Sequence, residues 1–166
     1  MSVCRRIVRP YYNLLKREQS VSTLSSYRDR SFYKYFIDMQ TRLRDNDYYG
    51  HVNNVVYGEW IDTIVNKYLI DKCSLQPLKS PLIGYVVSSH CEYYSPVSYP
   101  STISLGLFIK KLGKSSVDYQ VGIFENNQSL KASAVGGFTH VFVDRTTQRP
   151  HPIDQEFRNK LSLILN

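Results

Sequence analysis

The chain has 166 residues, 42% of them apolar, with 14 Tyr, 7 Phe and a formal net charge of +7. That is enough for one domain with a real core, while no apolar run reaches the roughly 18 residues that a membrane-spanning helix needs. Three widely spaced cysteines (Cys4, Cys73, Cys91) with no C-x-x-C or H-x-x-x-H pair argue against a disulfide framework and against a zinc cluster, so no metal site is expected.

The positive charge is uneven. Residues 1–31 carry seven Lys or Arg (Arg5, Arg6, Arg9, Lys16, Arg17, Arg28, Arg30) against Glu18 and Asp29, a net of +5, and the rest of the chain adds only +2. Val3, Ile7, Tyr11 and Leu14 recur there at helical spacing, with Arg5, Arg6 and Arg9 largely on other faces. An amphipathic, acid-poor, Arg- and Ser-rich start is the physical signature of a mitochondrial transit peptide, although Pro10 interrupts a continuous helix. The expectation is a leader over 1–31 and a mitochondrial location. A disordered basic arm on a cytoplasmic protein is the alternative. The remainder has no basic stripe with interleaved aromatics, so nucleic acid is not an expected partner.

After the leader, Tyr35, Ile37, Met39, Thr41 and Leu43 alternate with polar or outward residues, which predicts a half-buried strand over 33–44. A helix is predicted over 54–72. Val56, Trp60, Ile64 and Tyr68 repeat every four residues beside Tyr57, Ile61, Val65 and Leu69, giving an apolar arc wide enough to be largely wrapped. Beyond Pro77 and Pro81, a strand over 83–94 places Tyr85, Val87, Ser89, Cys91 and Tyr93 on one face. Ile103, Leu105, Leu107 and Ile109 mark the next strand, Lys110 to Lys114 a hairpin connection, and Val117, Tyr119, Val121 and Ile123 a fourth strand. Asn126-Asn127 predicts a turn. A last strand over 129–143 contains Gly136-Gly137, the mark of a bulge or a close backbone approach. A short helix closes the chain within 153–163. The organisation is a leader (1–31), one domain (32–145) and a C-terminal tail with a short helix (146–166).

Between the first strand and the helix lies Arg44-Asp45-Asn46-Asp47-Tyr48-Tyr49-Gly50-His51-Val52-Asn53-Asn54. An acid, a glycine turn and two capping amides precede an apolar helix, whose N-terminus carries unpaired N–H groups and a partial positive charge. This string resembles the D-x-D-x-x-G-H-V-N-N signature of hotdog-fold acyl-CoA thioesterases of the 4-hydroxybenzoyl-CoA thioesterase type, and the resemblance extends over about 110 residues, roughly 33 to 143. It implies an α+β hotdog fold: a curved antiparallel sheet wrapped around one long central helix. Neither periodicity nor composition alone gives that topology.

The resemblance implies that Asp47 is the catalytic carboxylate, acting on a thioester as nucleophile or as the base that activates water; as a plain residue in a turn, Asp47 is also a good cap. Gly50 would permit the turn and close approach of the thioester. The N–H near Asn54 would donate to the thioester oxygen, and Asn53 and Asn54 are also ordinary N-caps. His51 would orient the loop or hold water. Asn54 departs from related thioesterases that carry histidine there, which weakens any mechanism needing that imidazole. Asp45 reads as structural, paired with Arg42 or Arg44. Glu59 reads as a polar helix edge and His140 as a satisfied, partly buried histidine. Lys110, Lys111 and Lys114, and more weakly Arg149, are candidates for the phosphates of coenzyme A, with a solvated turn as the alternative. Tyr48, Tyr49 and Trp60 are candidates for an acyl channel or simply for core.

The expected activity is hydrolysis of an acyl-CoA to the free acid and coenzyme A, with the thioester as substrate and no cofactor. The resemblance also implies a homodimer or homotetramer, with sites at subunit interfaces. A carrier-protein thioesterase and a non-catalytic hotdog acyl-binding or assembly module are the alternatives.

Overall fold

Helix α1 (Asn54–Asp71) begins where Asn53 accepts the N–H of Val55 at 3.0 Å, a side-chain cap that satisfies one of the exposed donors of the first turn. Seven of its residues are buried (Tyr57, Trp60, Ile61, Ile64, Val65, Tyr68 and Leu69), and each large apolar group so covered stabilises the fold by about 1.5–3 kcal/mol. The chain leaves the helix through Ser74, which takes a φ of 60°. The computed structural model describes residues 26–166. Of the leader expected over 1–31, residues 1–25 lie outside the described residues.

Around α1 run β1 (Tyr35–Gln40), β2 (Leu82–Tyr93), β3 (Thr102–Leu112), β4 (Ser116–Phe124) and β5 (Ala134–Asp144), followed by α2 (Gln155–Ser162). All pairs are antiparallel, in the order β1-β3-β4-β5-β2, so β1 and β2 form the two edges. The inner face contributes Leu105, Leu107, Tyr119, Val121, Phe138 and Phe142 to one core with α1. This is the hotdog arrangement that the motif implied. Asp154 caps α2 by accepting the N–H of Phe157 at 2.8 Å, and Phe157 and Leu161 turn inward.

Several boundaries move for identifiable reasons. β1 ends at Gln40 rather than at residue 44, because residues 43–45 form a 3-10 turn that leaves Leu43 72% exposed. β3 continues to Leu112, so Lys110 and Lys111 belong to the strand and the hairpin connection shrinks to residues 113–115; a register shift between Ile109 and Lys111 leaves Lys110 as the extra residue. β5 starts at Ala134, since Asn126 gathers the N–H groups of Gln128 and Ser129 into a turn. Within β5, Gly136 and Gly137 pair in continuous register. They are sites of close approach: a Cβ on Gly136 would lie 2.7 Å from Ile61 Cδ1 and from the His90 carbonyl oxygen.

The strand β2 does not keep one alternating face. Its register against β5 shifts between Val86 and Ser88. Opposed residues of an antiparallel pair share a face, so Gly84 and Val86 lie with Phe142 and His140, whereas beyond the bulge Ser89, Cys91 and Tyr93 lie with Phe138, Gly136 and Ala134. One extra residue reverses the side to which every later side chain points. Tyr85 is therefore turned away from the helix, although strict alternation put it with Cys91.

The outer face of the sheet is also covered. Tyr33, Phe108, Phe124, Ala132 and Val135 form a second cluster, joined by Tyr27, Phe32, Phe36 and Tyr94. Gly106 and Gly122 make room for the Tyr33 ring: a Cβ on either would come within 2.8 Å of it. Arg30 lies over Phe36 at 4.3 Å and Phe124 at 4.8 Å and donates to Ser104 Oγ at 2.9 Å. Arg28 stacks 4.2 Å over Tyr94. The segment 27–33 is thus an arm laid across the sheet. Past the end of β1, Ile109 and residues 164–166 pair instead, Ile109 donating to Ile164 and accepting from Asn166.

Candidate active site

The motif loop is built on a buried carboxylate. Asp45 is 2% exposed and accepts the Arg42 backbone N–H at 2.7 Å and Arg42 Nε at 2.8 Å. Its carbonyl takes the N–H of Asn53 at 2.8 Å. Of the two partners expected for Asp45, Arg42 is the one in contact. The far end of Arg42 donates to both oxygens of Glu59 on α1, at 3.0 and 3.1 Å. Because that pair is largely exposed, its value lies in geometry more than in energy: it ties the turn ahead of the motif to the second turn of the helix. Glu59 sits on the polar edge, as its spacing suggests.

Asp47 is half-buried at the next bend. Its Oδ1 accepts the N–H of Tyr49 at 2.8 Å and, more weakly, that of His51 at 3.4 Å. Its backbone N–H donates to the His51 carbonyl at 2.7 Å, and Gly50 completes the bend with φ of +78°, a conformation that L side chains rarely adopt. Among the described residues nothing donates to the second oxygen of Asp47. The connection between β2 and β3 braces the loop: Val52 donates to the Val97 carbonyl at 2.8 Å, and Asn46 accepts the N–H of Tyr99 at 3.1 Å.

Asn53 is the cap, which leaves Asn54 as the first helical residue. No group among the described residues accepts the N–H of Asn54. It stands at the positive end of an 18-residue helix. The Asn54 carbonyl accepts the Tyr93 hydroxyl at 3.2 Å. At this point a cavity of about 450 Å³ opens between α1 and β2, with Asn54, Val55, Gly58, Ile61 and Asp62 along the helix side, Cys91 and Tyr93 on β2, and Phe138 on β5. Burial holds the Cys91 thiol above its ordinary pKa and raises the Tyr93 hydroxyl likewise, so these two groups of the β2 wall are uncharged at neutral pH. A largely apolar trough ending at an unpaired N–H, with Asp62 at its helix side, suits a molecule with one polar carbonyl and an apolar remainder.

Of the residues singled out from the sequence, Asn54 lines this cavity, and Asp47, Gly50, His51 and Asn53 share the loop that leads into it. Asp47 itself does not line the cavity of its own chain. Lys110, Lys111, Lys114 and Arg149 do not line it either; Lys110 lies 3.9 Å from Asp118 and 6.0 Å over the Tyr27 ring. Trp60 is core, whereas Tyr48 and Tyr49 are 99% and 82% exposed, standing at the tip of the bend. His140 differs from the satisfied, partly buried histidine expected: it is buried, its Nδ1 has no partner, and burial pulls its pKa down to about 4. A second cavity, of about 190 Å³, lies beside Cys73, Leu82, Phe157 and Lys160 and contains no part of the motif. Among the described residues no cluster of potential metal ligands occurs, and no helix is long and apolar enough to cross a membrane.

Sequence reasoning overlooked Gly58 and Asp62 as cavity residues. The signal was present, since both follow Asn54 at intervals of four on one helix face. Cys91 and Tyr93 were seen as one face of a strand but not as a wall, because only the pairing of β2 with β5 beside α1 creates it.

Comparison with known proteins gives the class. The model of the thioesterase-like superfamily matches residues 41–161, from the end of β1 into α2. The chain belongs to the thioesterase-like superfamily, and thioester hydrolysis is the activity class that this membership supports. The PA5185 protein of Pseudomonas aeruginosa strain PAO1 is 44% identical, over 83% of this chain and 96% of its own, with a TM-score of 0.79. Two more distant structures share the fold. A thioesterase of Thermus thermophilus, complexed with coenzyme A and zinc, is 21% identical over 78% of this chain and 98% of its own, with a TM-score of 0.67. A 1,4-dihydroxy-2-naphthoyl-CoA thioesterase of Synechocystis is 14% identical over 77% and 95%, with a TM-score of 0.69. The comparison with curated proteins gave no match.

Proposed function

We propose that this protein hydrolyses acyl-CoA thioesters, after the 4-hydroxybenzoyl-CoA thioesterase pattern. The observation that carries the reading is the unpaired N–H of Asn54, at the mouth of a largely apolar cavity and at the head of the helix that follows the braced loop of Asp47. The thioester oxygen accepts from that N–H, which stabilises the negative charge it gains in the transition state. The Asp47 carboxylate then works in one of two ways. As nucleophile it attacks the carbonyl carbon, expels coenzyme A as the thiolate and leaves an anhydride that water cleaves. As base it takes a proton from water while the water oxygen bonds to the carbonyl carbon; the tetrahedral intermediate then breaks its C–S bond, releasing the free acid and coenzyme A as the thiolate, which the proton held by Asp47 can neutralise. Both routes need no cofactor. The test is purified protein lacking residues 1–25, assayed against acyl-CoAs of graded length and against carrier-protein thioesters, with Asp47→Asn as control. Turnover confined to carrier-protein thioesters would replace coenzyme A as the carrier, and binding of acyl-CoA without turnover of any thioester would favour the acyl-binding module.

Because Asp47 does not line the cavity of its own chain, the reading includes a homodimer that brings the loop of one copy to the cavity of the other. The edge strand β2 is the proposed seam: it carries unpaired backbone groups on one side and the exposed Tyr85, Val86 and Val87. Lys110, Lys111 and Lys114 are then proposed contacts for coenzyme A phosphates across that assembly. Light scattering is expected to give the mass of two or four chains, and Val87→Lys to shift it toward one chain with loss of turnover; an active single chain would remove the shared site.

Mitochondrial import through the basic leader is the proposed location. A fusion of residues 1–25 to a fluorescent reporter is expected to enter mitochondria, and diffuse cytosolic signal would point to the basic-arm alternative.

A further inference from the structure

Seven of the eight glycines have a local reason to be glycine. Gly50 holds a positive φ, and a Cβ on Gly84, Gly106, Gly113, Gly122, Gly136 or Gly137 would come within 2.8 Å of a neighbour. Gly58 has neither reason. Its φ is not in the left-handed region, and a Cβ built on it meets nothing within 4 Å. It nevertheless sits in the second turn of α1, where glycine weakens a helix relative to alanine. The fold of the single chain gains nothing from it.

The cavity supplies the missing reason. Gly58 lies in the middle of the helix stripe that lines it, between Asn54 and Val55 at the mouth and Ile61 and Asp62 beyond. Four residues of helix place Gly58 about 6 Å from Asn54. Starting from a carbonyl held at the Asn54 N–H, an extended acyl chain covers that distance in about five bonds.

We infer that Gly58 is a specificity-determining position, its missing side chain keeping the helix wall open to acyl groups that extend about five bonds or more beyond the thioester carbonyl. The inference rests on the acyl-CoA reading above and names the substrate class within it: thioesters of medium or long acyl chains, or of ring-bearing acids of that reach, in preference to acetyl or propionyl groups. A side chain at this position fills the space that such a group occupies and leaves the mouth as it is.

The test uses binding as well as turnover. In the Asp47→Asn background, affinities for coenzyme A, acetyl-CoA, hexanoyl-CoA and dodecanoyl-CoA are measured by calorimetry, with and without Gly58→Leu. The dodecanoyl-to-acetyl affinity ratio is expected to fall by about tenfold or more with Leu, hexanoyl-CoA following dodecanoyl-CoA. Gly58→Ala, the smaller change, is expected to raise the thermal midpoint by about 2–4 °C while lowering the same ratio less, which separates a cavity role from a structural one. An equal loss for all four ligands, coenzyme A included, would put the pantetheine arm rather than the acyl group over Gly58 and overturn the assignment. So would an unchanged ratio, or no binding of any acyl-CoA. If the ratio falls as expected but the unsubstituted chain turns over no thioester, hydrolysis fails and Gly58 stands. If thioesters are hydrolysed with a length profile that Gly58→Leu does not move, the reverse holds.

Discussion

Asp47→Asn is expected to lower the turnover of acyl-CoA by roughly 10²–10⁴-fold while leaving the fold in place. The two side chains have nearly the same shape, and the amide oxygen of Asn can still accept the N–H groups of Tyr49 and His51 that Asp47 Oδ1 accepts now. The bend, with Gly50 at positive φ, therefore survives the change. What disappears is a negatively charged oxygen able to attack a carbonyl or take a proton. Asp47→Ala removes the loop hydrogen bonds as well, so the pair of variants separates the two roles. Equal loss in both marks Asp47 as the reacting group. Wild-type turnover in Asn with loss only in Ala marks it as a brace, and the hydrolytic mechanism would then need another carboxylate.

The second large effect is on stability at low pH. His140 is packed among Tyr119, Phe138 and Phe142, with ring centroids 5.4, 4.6 and 5.7 Å away, and burial lowers its pKa from 6.5 to about 4. Between those two values the unfolded chain binds a proton that the folded chain refuses. Stability contributed by the neutral imidazole is therefore fully present above pH 6.5 and is lost as pH falls toward 4. The shift corresponds to about 3 kcal/mol across that window. Urea unfolding followed from pH 7 to pH 4 is expected to show a steep fall in the wild-type midpoint and a shallower one in His140→Leu, whose side chain does not titrate. Parallel slopes would mean that His140 keeps its ordinary pKa in the folded protein.

The individual elements were legible because they depend on local periodicity, whereas their topology followed only from the resemblance carried by the motif. The 3.6-residue repeat from Val56 to Leu69 and the alternation from Ile103 to Ile109 each report one buried face, and the helix was located to within a residue at its end. What failed depended on partners. Nothing in residues 82–93 reveals that Val87 is extra, because the bulge exists only relative to β5. His140 was expected to be partly buried and satisfied; that its burial is nearly complete and its Nδ1 unpartnered was invisible for the same reason, since Tyr119 comes from another strand. In the site, the fixed spacing from Asp45 to Asn54 located the loop and narrowed its cap to Asn53 or Asn54, of which the structure selects Asn53. The Arg42–Glu59 tie, 17 residues apart, and the wall made by Cys91 and Tyr93 required the sheet to be folded against the helix. Gly58 was readable as an oddity in a helix, but only the empty space around it turned that oddity into information.

The arm on the outer face of the sheet limits where the proposed leader could be cut away. Charge alone groups residues 26–31 with the basic leader, yet Arg28 and Arg30 are already engaged with Tyr94, Phe36 and Phe124, and Tyr33 donates its hydroxyl to the Tyr27 carbonyl at 2.6 Å. A protease that trimmed the chain at residue 31 would strip the lid from an aromatic surface and expose it to aggregation. If the proposed leader is removed, a cut that keeps this surface covered falls upstream of Tyr27, so N-terminal sequencing of any trimmed form is expected to give a start there or earlier.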